Sequence, residues 1–364
     1  MEGYIGNDSV IVYLSKSDSN FTSKIMFVKS GNILVNDLFQ NNSIKDSVWV
    51  MKLAKMSLIK DNFSKSKSIL IKGQFLQKDY FKGNFIDSNK SSSLQSVELK
   101  EKYLAGSSKI SYIDYNKDYY SFNDLKYDIQ IIYPLIRLKD SVLNSKINKN
   151  ITQTLFSRFE NQKLKFNSID NFVNDYLVSD FKSIEDDKDS DSNPADEKNI
   201  EDDDMLAEQD WYFHNFMEIT LNESNLISVS CQTSDYMGGA HGGYNNTNIN
   251  INTLTGNYIT LDSILKPGYK KKLDSLGRIA FANYINIPLD SLDNHIKEYF
   301  WFNNSKFELN NNFEITYTGL NFVFNQYEIA SYADGIFEVF LSYNIIKDLI
   351  REDSQVYNLV NGMK

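Results

Sequence analysis

Short apolar runs, spaced by polar punctuation, dominate the first part of the chain. Val10, Val12 and Leu14 alternate with Ile11, Tyr13 and polar Ser15. Further runs follow at Ile25–Val28, Ile33–Val35, Val48–Met51 and Ile69–Ile71. Gly31-Asn32, Gly73 and Gly83-Asn84 supply turn signals. Such a pattern predicts an antiparallel β meander. Gly73–Leu76 and Tyr80–Phe85 read as its closing strand pair. Residues 88–100, rich in Ser, Lys and Gln, read as a linker.

Beyond that point the periodicity changes. Tyr127–Pro134 reads as a strand ending at its proline. Leu143, Ile147, Ile151 and Leu155 then recur at i, i+4 spacing, with Val142 and Phe159 alongside. This is the apolar stripe of an amphipathic helix, and Asp140 or Ser141 suits its N-cap. A second helix is expected over Ile169–Phe181, with Ile169, Phe172, Val173, Tyr176 and Leu177 facing inward. Strand patterns return at Trp211–Leu221, Leu226–Val229 and Asn248–Asn252. Helices are expected over Tyr269–Ile285 and Leu292–Phe300, separated by Pro288. Strands at Phe313–Tyr317, Gly319–Phe324 and Ile336–Leu341 lead into a short helix, Asn344–Arg351.

These elements predict an α+β protein in which an N-terminal antiparallel β module is followed by helices packed on antiparallel sheets. The expected divisions are 1–98, 99–252 and 253–364. Residues 185–204 interrupt the middle part with eleven acidic side chains and two lysines. That charge density cannot bury enough apolar surface to fold, so a disordered insertion is expected. Asp187, Asp189, Asp191 and Asn193 alternate as calcium ligands would. The register from Asp189, however, puts Pro194 where an EF-hand needs glycine and Ile200 where it needs glutamate.

The formal net charge of −10 argues against a nucleic-acid binder, which needs a basic stripe, and against docking on anionic lipid. Neutral glycans, small molecules and basic proteins remain open as partners. The single cysteine, Cys231, excludes an intramolecular disulfide and reads as a buried strand residue. No apolar run is long enough to span a bilayer as a helix. The N-terminal residues lack the basic and apolar regions of a signal peptide. A mature exported chain is one expectation, with its leader absent from this sequence, and a cytoplasmic protein the other.

Candidate chemistry gathers in two clusters. The first is Tyr236–Tyr244, which packs Gly238, Gly239, Gly242, Gly243 and His241 into nine residues between strand patterns. Glycines there suit a tight strand-to-strand connection, and His241 is placed by it. His241 can titrate near neutrality or bind a metal, and Asp235 could orient it. No second histidine stands at ligand spacing, and no zinc, P-loop or nucleophile-elbow motif occurs. The second cluster is Tyr327, Glu328 and Tyr332. Aromatic rings can stack on sugar faces while a carboxylate accepts hydroxyl hydrogen bonds, although the same residues suit a loop packed on a sheet edge. Glu314, Glu328, Asp334 and Glu338 cannot be assembled from sequence into the spaced carboxylate pair of a glycosidase. No catalytic residue, metal or cofactor is assigned.

Tyr236–Gly242, Asn250–Gly256 and Ile259–Ile264 together resemble the junction of two linked domains. One is the PdaC-type domain that precedes certain peptidoglycan deacetylases. The other is the RsiV-type domain, the extracellular part of a lysozyme-sensing anti-sigma factor. Phe313–Gly335 resembles the RsiV-type signature around Tyr327-Glu328 and Tyr332, and Tyr127–Pro134 with Ile147-Asn148 resembles the opening of the PdaC-type domain. The likeness covers about residues 105–350, departing at the acidic insertion and at Asn257, where lysine is more usual. It implies a bacterial cell-envelope protein and makes Tyr236, Gly238, Gly239, His241, Gly242, Tyr327, Glu328 and Tyr332 the binding candidates. The deacetylase's catalytic domain and the sensor's sigma-binding part are not recognised within this sequence, so neither activity is expected to carry over. The expectation is a non-enzymatic recognition protein for peptidoglycan fragments or a lysozyme-like protein. A hydrolase acting on an envelope glycan, or a structural lipoprotein module, are the alternatives.

Overall fold

The computed structural model describes residues 2–5, 8–16, 21–29, 32–39, 49–56, 67–77, 80–87, 95–100, 105–121, 125–160, 165–179, 181 and 210–361. The acidic insertion 185–204 lies outside the described residues.

The N-terminal alternation produces eight strands: β1 (Glu2–Ile5), β2 (Asp8–Lys16), β3 (Phe21–Lys29), β4 (Asn32–Phe39), β5 (Trp49–Met56), β6 (Lys67–Gln77), β7 (Tyr80–Asp87) and β8 (Gln95–Lys100). Each pairs antiparallel with the next, as a meander should. The meander closes into a barrel because β8 also pairs with β1, Glu2 opposite Lys100 and Ile5 opposite Val97. The linker expected over 88–100 is therefore corrected at 95–100. There Val97 and Leu99 alternate with polar neighbours and complete the closure, so the expected boundary at 98 falls inside a strand. Closure removes the two edges an open meander would expose.

The second sheet has the order β13-β12-β11-β10-β9, built from β9 (Lys109–Tyr120), β10 (Lys126–Arg137), β11 (Trp211–Glu223), β12 (Leu226–Tyr236) and β13 (Gly243–Asn252). It is antiparallel except between β10 and β11, which run parallel from Tyr127–Trp211 to Ile132–Phe216. The expected antiparallel sheets are present, with this one pair parallel because a crossover carrying helices returns β11 in the direction of β10. Pro134 does not end its strand. β11 has already left that edge of β10 by Ile132, so a missing N–H is tolerated there.

The crossover begins with α1 (Ser141–Phe156). Asp140 caps it, its Oδ1 accepting from the N–H groups of Val142 and Leu143 at 2.9 Å. Ile147, Ile151 and Leu155 are buried, whereas Val142 is 79% exposed and lies off the stripe. α2 (Ile169–Phe172) runs directly into a π-helical turn, Val173–Leu177. These helices seal one face of the sheet in a core that includes Tyr127, Phe156, Phe172, Trp211 and Phe213.

The C-terminal part holds a three-stranded antiparallel sheet, β14 (Phe313–Ile315), β15 (Gly319–Phe324) and β16 (Phe337–Ser342), with α3 (Leu261–Ile264), α4 (Lys270–Tyr284), α5 (Leu292–Tyr299), α6 (Tyr343–Ile346) and α7 (Gln355–Asn361). Its core contains Phe281, Phe302, Phe307, Phe322 and Phe324 and takes in Leu221 and Leu226 from the β11–β12 turn. The two sheets thus share apolar packing at one end of the β11–β12 hairpin.

Candidate functional site

The glycine–histidine run forms the turn of the β12–β13 hairpin, closed by the pair Asp235–Gly243. Gly238 and Gly239 have φ of 86° and 91°, a region that suits glycine. Gly242 serves a different need. A Cβ there would lie 2.7 Å from both the Asp235 carbonyl oxygen and the Tyr212 hydroxyl. Tyr236 braces the turn by donating from its hydroxyl to the Gly239 carbonyl at 3.0 Å. Asp235 does not orient His241 in the way its sequence position suggested. Its Oδ1 faces Arg158 Nη2 at 3.4 Å, in an ion pair across to the end of α1.

The loop after β15, and Asn312 just before β14, approach this hairpin through side-chain amides. β13 is the edge strand of its sheet, and from Tyr244 to Asn248 its outward backbone groups are met by carboxamides rather than by another strand. Tyr244 N–H donates to Gln326 Oε1 (2.9 Å), Asn246 N–H to Asn325 Oδ1 (2.7 Å) and Asn248 N–H to Asn312 Oδ1 (2.7 Å). In return Asn325 Nδ2 and Asn312 Nδ2 both donate to the Asn246 carbonyl, at 3.1 and 2.7 Å. Further along, Asn250 is buried and pairs with β14 at both ends of its amide, donating to Phe313 O and accepting from Ile315 N–H. A sheet edge is thereby covered by amide groups that copy the donor–acceptor pattern of backbone.

Glu328 locks the loop tip. Its Oε2 accepts from Asn325 N–H at 2.8 Å and its Oε1 from Asn310 Nδ2 at 2.8 Å. Between them Tyr327 is held at φ 63°, an unfavourable backbone region for a bulky side chain, and it is 56% exposed. Ser331 then opens a short 3-10 turn, Tyr332–Asp334, in which Asp334 Oδ2 accepts from the Ser331 N–H and hydroxyl. Ile329 and Ala330 are buried beneath this loop and anchor it.

The two sequence clusters meet here, although 86 residues separate Tyr327 from His241. The His241 ring stacks on Tyr332 with centroids 3.8 Å apart and planes 20° off parallel. Its Nδ1 lies 2.9 Å from the Gly242 carbonyl oxygen, and its Nε2 lies 3.4 Å from the Tyr327 hydroxyl. A carbonyl can only accept, so Nδ1 donates to it, and Nε2 faces the tyrosine hydroxyl. Tyr327 and Tyr332 have ring centroids 5.9 Å apart. His241 is exposed and Tyr332 half-buried, so a triad of rings lies at the surface.

All eight sequence candidates fall on this hairpin and loop, in distinct roles. Gly238, Gly239, Gly242 and Tyr236 build the turn, Glu328 fixes the loop, and His241, Tyr327 and Tyr332 present rings. The other carboxylates weighed in the sequence serve elsewhere. Glu314 is buried, and Glu338 accepts from Asn321 Nδ2 at 3.1 Å. Among the described residues no group of three or more His, Cys, Asp or Glu side chains could hold a metal ion. Cys231 is buried, and burial pushes its thiol up to about 11, so it is inert at neutral pH. Sequence reasoning missed Trp301, which is 55% exposed and whose N–H donates to the Ile329 carbonyl at 2.8 Å. Phe300 and Phe302 flank it, and that aromatic alternation is the signal that could have found it.

Residues 113–244 match a family model described as Deacetylase PdaC, and residues 262–344 match one described as a protein of unknown function, DUF3298. The first match ends within the His241 hairpin strand, and the second contains the Tyr327–Tyr332 loop. The site therefore lies where the two matched domains touch. A crystal structure of a DUF3298-family member from Bacteroides fragilis is similar at 19% identity and a TM-score of 0.56, over 72% of this chain and 99% of that one. A DUF3298-family protein from Pseudomonas aeruginosa is 12% identical with a TM-score of 0.49, over 68% of this chain and 97% of that one. The Bacteroides likeness establishes a shared fold. No curated protein matches the chain.

Proposed function

We propose that this chain is a non-enzymatic recognition protein of the bacterial cell envelope, binding peptidoglycan glycan at the surface formed by His241, Tyr327 and Tyr332. The observation that carries this reading is the stack of an exposed imidazole on Tyr332, 3.8 Å between centroids, beside the strained and exposed Tyr327. Flat, amphipathic rings held rigid at a surface offer an apolar face to a sugar ring while their polar edges reach hydroxyls. Strain of this kind persists only where the surroundings impose it, and it favours sites of function. The match to a domain named for a deacetylase supports the envelope assignment, and export follows from it. His241, Tyr327 and Tyr332 make the contacts in this reading, and Tyr236, Gly238, Gly239, Gly242 and Glu328 hold them in place.

The test is co-sedimentation of the purified protein with intact peptidoglycan. Wild type pellets with the wall, and Tyr332→Ala or His241→Ala stays in the supernatant while unfolding at the wild-type temperature. A wild-type protein that remains in the supernatant refutes glycan binding. One observation favours a second partner: a formal charge of −10 suits a basic wall-active protein such as lysozyme. Pelleting only when lysozyme is added would select that reading.

A further inference from the structure

Trp301 follows α5 and sits between two residues rooted in the C-terminal core. Phe300 packs edge-on against Phe281 and Phe337, at 5.1 and 5.4 Å between centroids, and Phe302 against Phe281 and Phe324, at 5.7 and 5.8 Å. Extended backbone sends alternate side chains to opposite sides. With both neighbours drawn inward, Trp301 is turned outward and is 55% exposed. Among the described residues its indole makes no aromatic contact. A large exposed indole on a fixed backbone is a typical anchor of a binding surface.

Its position ties it to the ring triad. The Trp301 N–H to Ile329 O hydrogen bond, 2.8 Å, joins this segment to the loop that carries Tyr327 and Tyr332. Ile329 stands three residues before Tyr332, at most about 11 Å of chain. Two aromatic platforms thus lie on neighbouring segments that share one backbone hydrogen bond. Residues 325–335 contain no lysine or arginine, and Glu328 and Asp334 give the rim a negative sign. A rim of that charge disfavours a polyanion and is compatible with an uncharged polymer, the ligand that the glycan reading supplies.

Resting on the glycan reading of His241 and Tyr332, we infer that the site continues to Trp301 and takes a linear, uncharged glycan chain several rings long. One ring of the chain lies on the His241–Tyr332–Tyr327 platform and a ring further along lies on the indole. Affinity therefore grows with chain length until both platforms are covered, as for any two linked contacts.

Calorimetric titration of the full chain with N-acetylglucosamine oligomers, from the disaccharide to chains of several rings, tests this. Wild type binds the long oligomer about tenfold more tightly than the disaccharide. Trp301→Ala removes that gain and leaves disaccharide binding unchanged, whereas Trp301→Phe, which keeps a ring, restores most of it. Tyr332→Ala loses both ligands. Equal affinity of wild type for short and long oligomers, or an undiminished gain in Trp301→Ala, overturns the extension while the glycan reading stands. Absence of binding to every oligomer by wild type overturns the extension, and the glycan reading itself falls only if the protein also fails to sediment with intact peptidoglycan. Thermal unfolding of each variant confirms that binding losses are not losses of fold.

Discussion

His241 has a hydrogen-bond partner at each ring nitrogen and a ring beneath it, so its environment, not its sequence neighbours, decides its role. The sequence marked both halves of the site, the glycine–histidine run and the Tyr327-Glu328 pair. It could not show that they touch, because their meeting depends on amides spread over Asn312, Asn325 and Gln326 with no periodic signature. Asp235 illustrates the converse, since six residues from His241 it pairs with Arg158 instead. Gly242→Ala should shift the hairpin, because a Cβ would press on the Asp235 carbonyl oxygen and the Tyr212 hydroxyl. A loss of about 1–3 kcal/mol is expected in urea unfolding. Gly239→Ala, with open space around it but φ 91°, should cost only about 1 kcal/mol. Cys231 should resist thiol reagents in the native protein at mildly alkaline pH and react on unfolding, which a mass-spectrometric labelling time course would show. Native labelling at the unfolded rate would contradict its burial.

The elements themselves were largely legible, because strands and helices announce themselves by period. α4 and α5 lie within a residue of the spans expected from apolar spacing, and α1 starts at its expected cap but ends at Phe156, short of the Phe159 counted on its stripe. β9 was not anticipated, since its polar residues and tyrosines give no clean alternation, and Pro134 concealed the true length of β10. The cover of β13 by amides belongs to this scale. Asn312→Ala removes an acceptor for Asn248 N–H and donors to the carbonyls of Asn246 and Val323. It should destabilise the protein by about 1–3 kcal/mol, measured by chemical denaturation. Glu328→Ala frees Asn325 N–H and Asn310 Nδ2 and relaxes Tyr327, so wall binding should fall while the unfolding midpoint changes little. A Glu328→Ala protein that sediments with peptidoglycan as wild type does would show that the clasp does not position Tyr327.

At the scale of the whole molecule, the α+β class and the N-terminal β module followed from the order of patterns along the chain. Closure of the barrel and the parallel β10–β11 pair did not, because both depend on contacts between segments distant in sequence. Stability should respond to pH through two carboxylates of opposite sign. The Phe166 N–H, with help from Lys165 and Gln153, holds Glu160 below the usual carboxylate range. Its contribution is present above the unfolded-state pKa and is lost as pH falls through the folded one. Burial raises Glu223, whose contribution is present below the unfolded-state pKa and is lost as pH rises through the folded value. Glu160→Gln should therefore flatten the acid limb of the stability curve, and Glu223→Gln should raise stability near neutrality, both read from urea midpoints across pH. The amide-covered edge carries a consequence in time rather than in energy. Carboxamides hydrolyse slowly to carboxylates, and a backbone strand in their place would not. Conversion of Asn312 to aspartate would set carboxylate oxygens against the Asn246 and Val323 carbonyls that its amide now serves. An aged preparation should therefore lose the amide contacts between its two sheets one side chain at a time, with the chain still whole and the shared apolar packing at the β11–β12 turn intact.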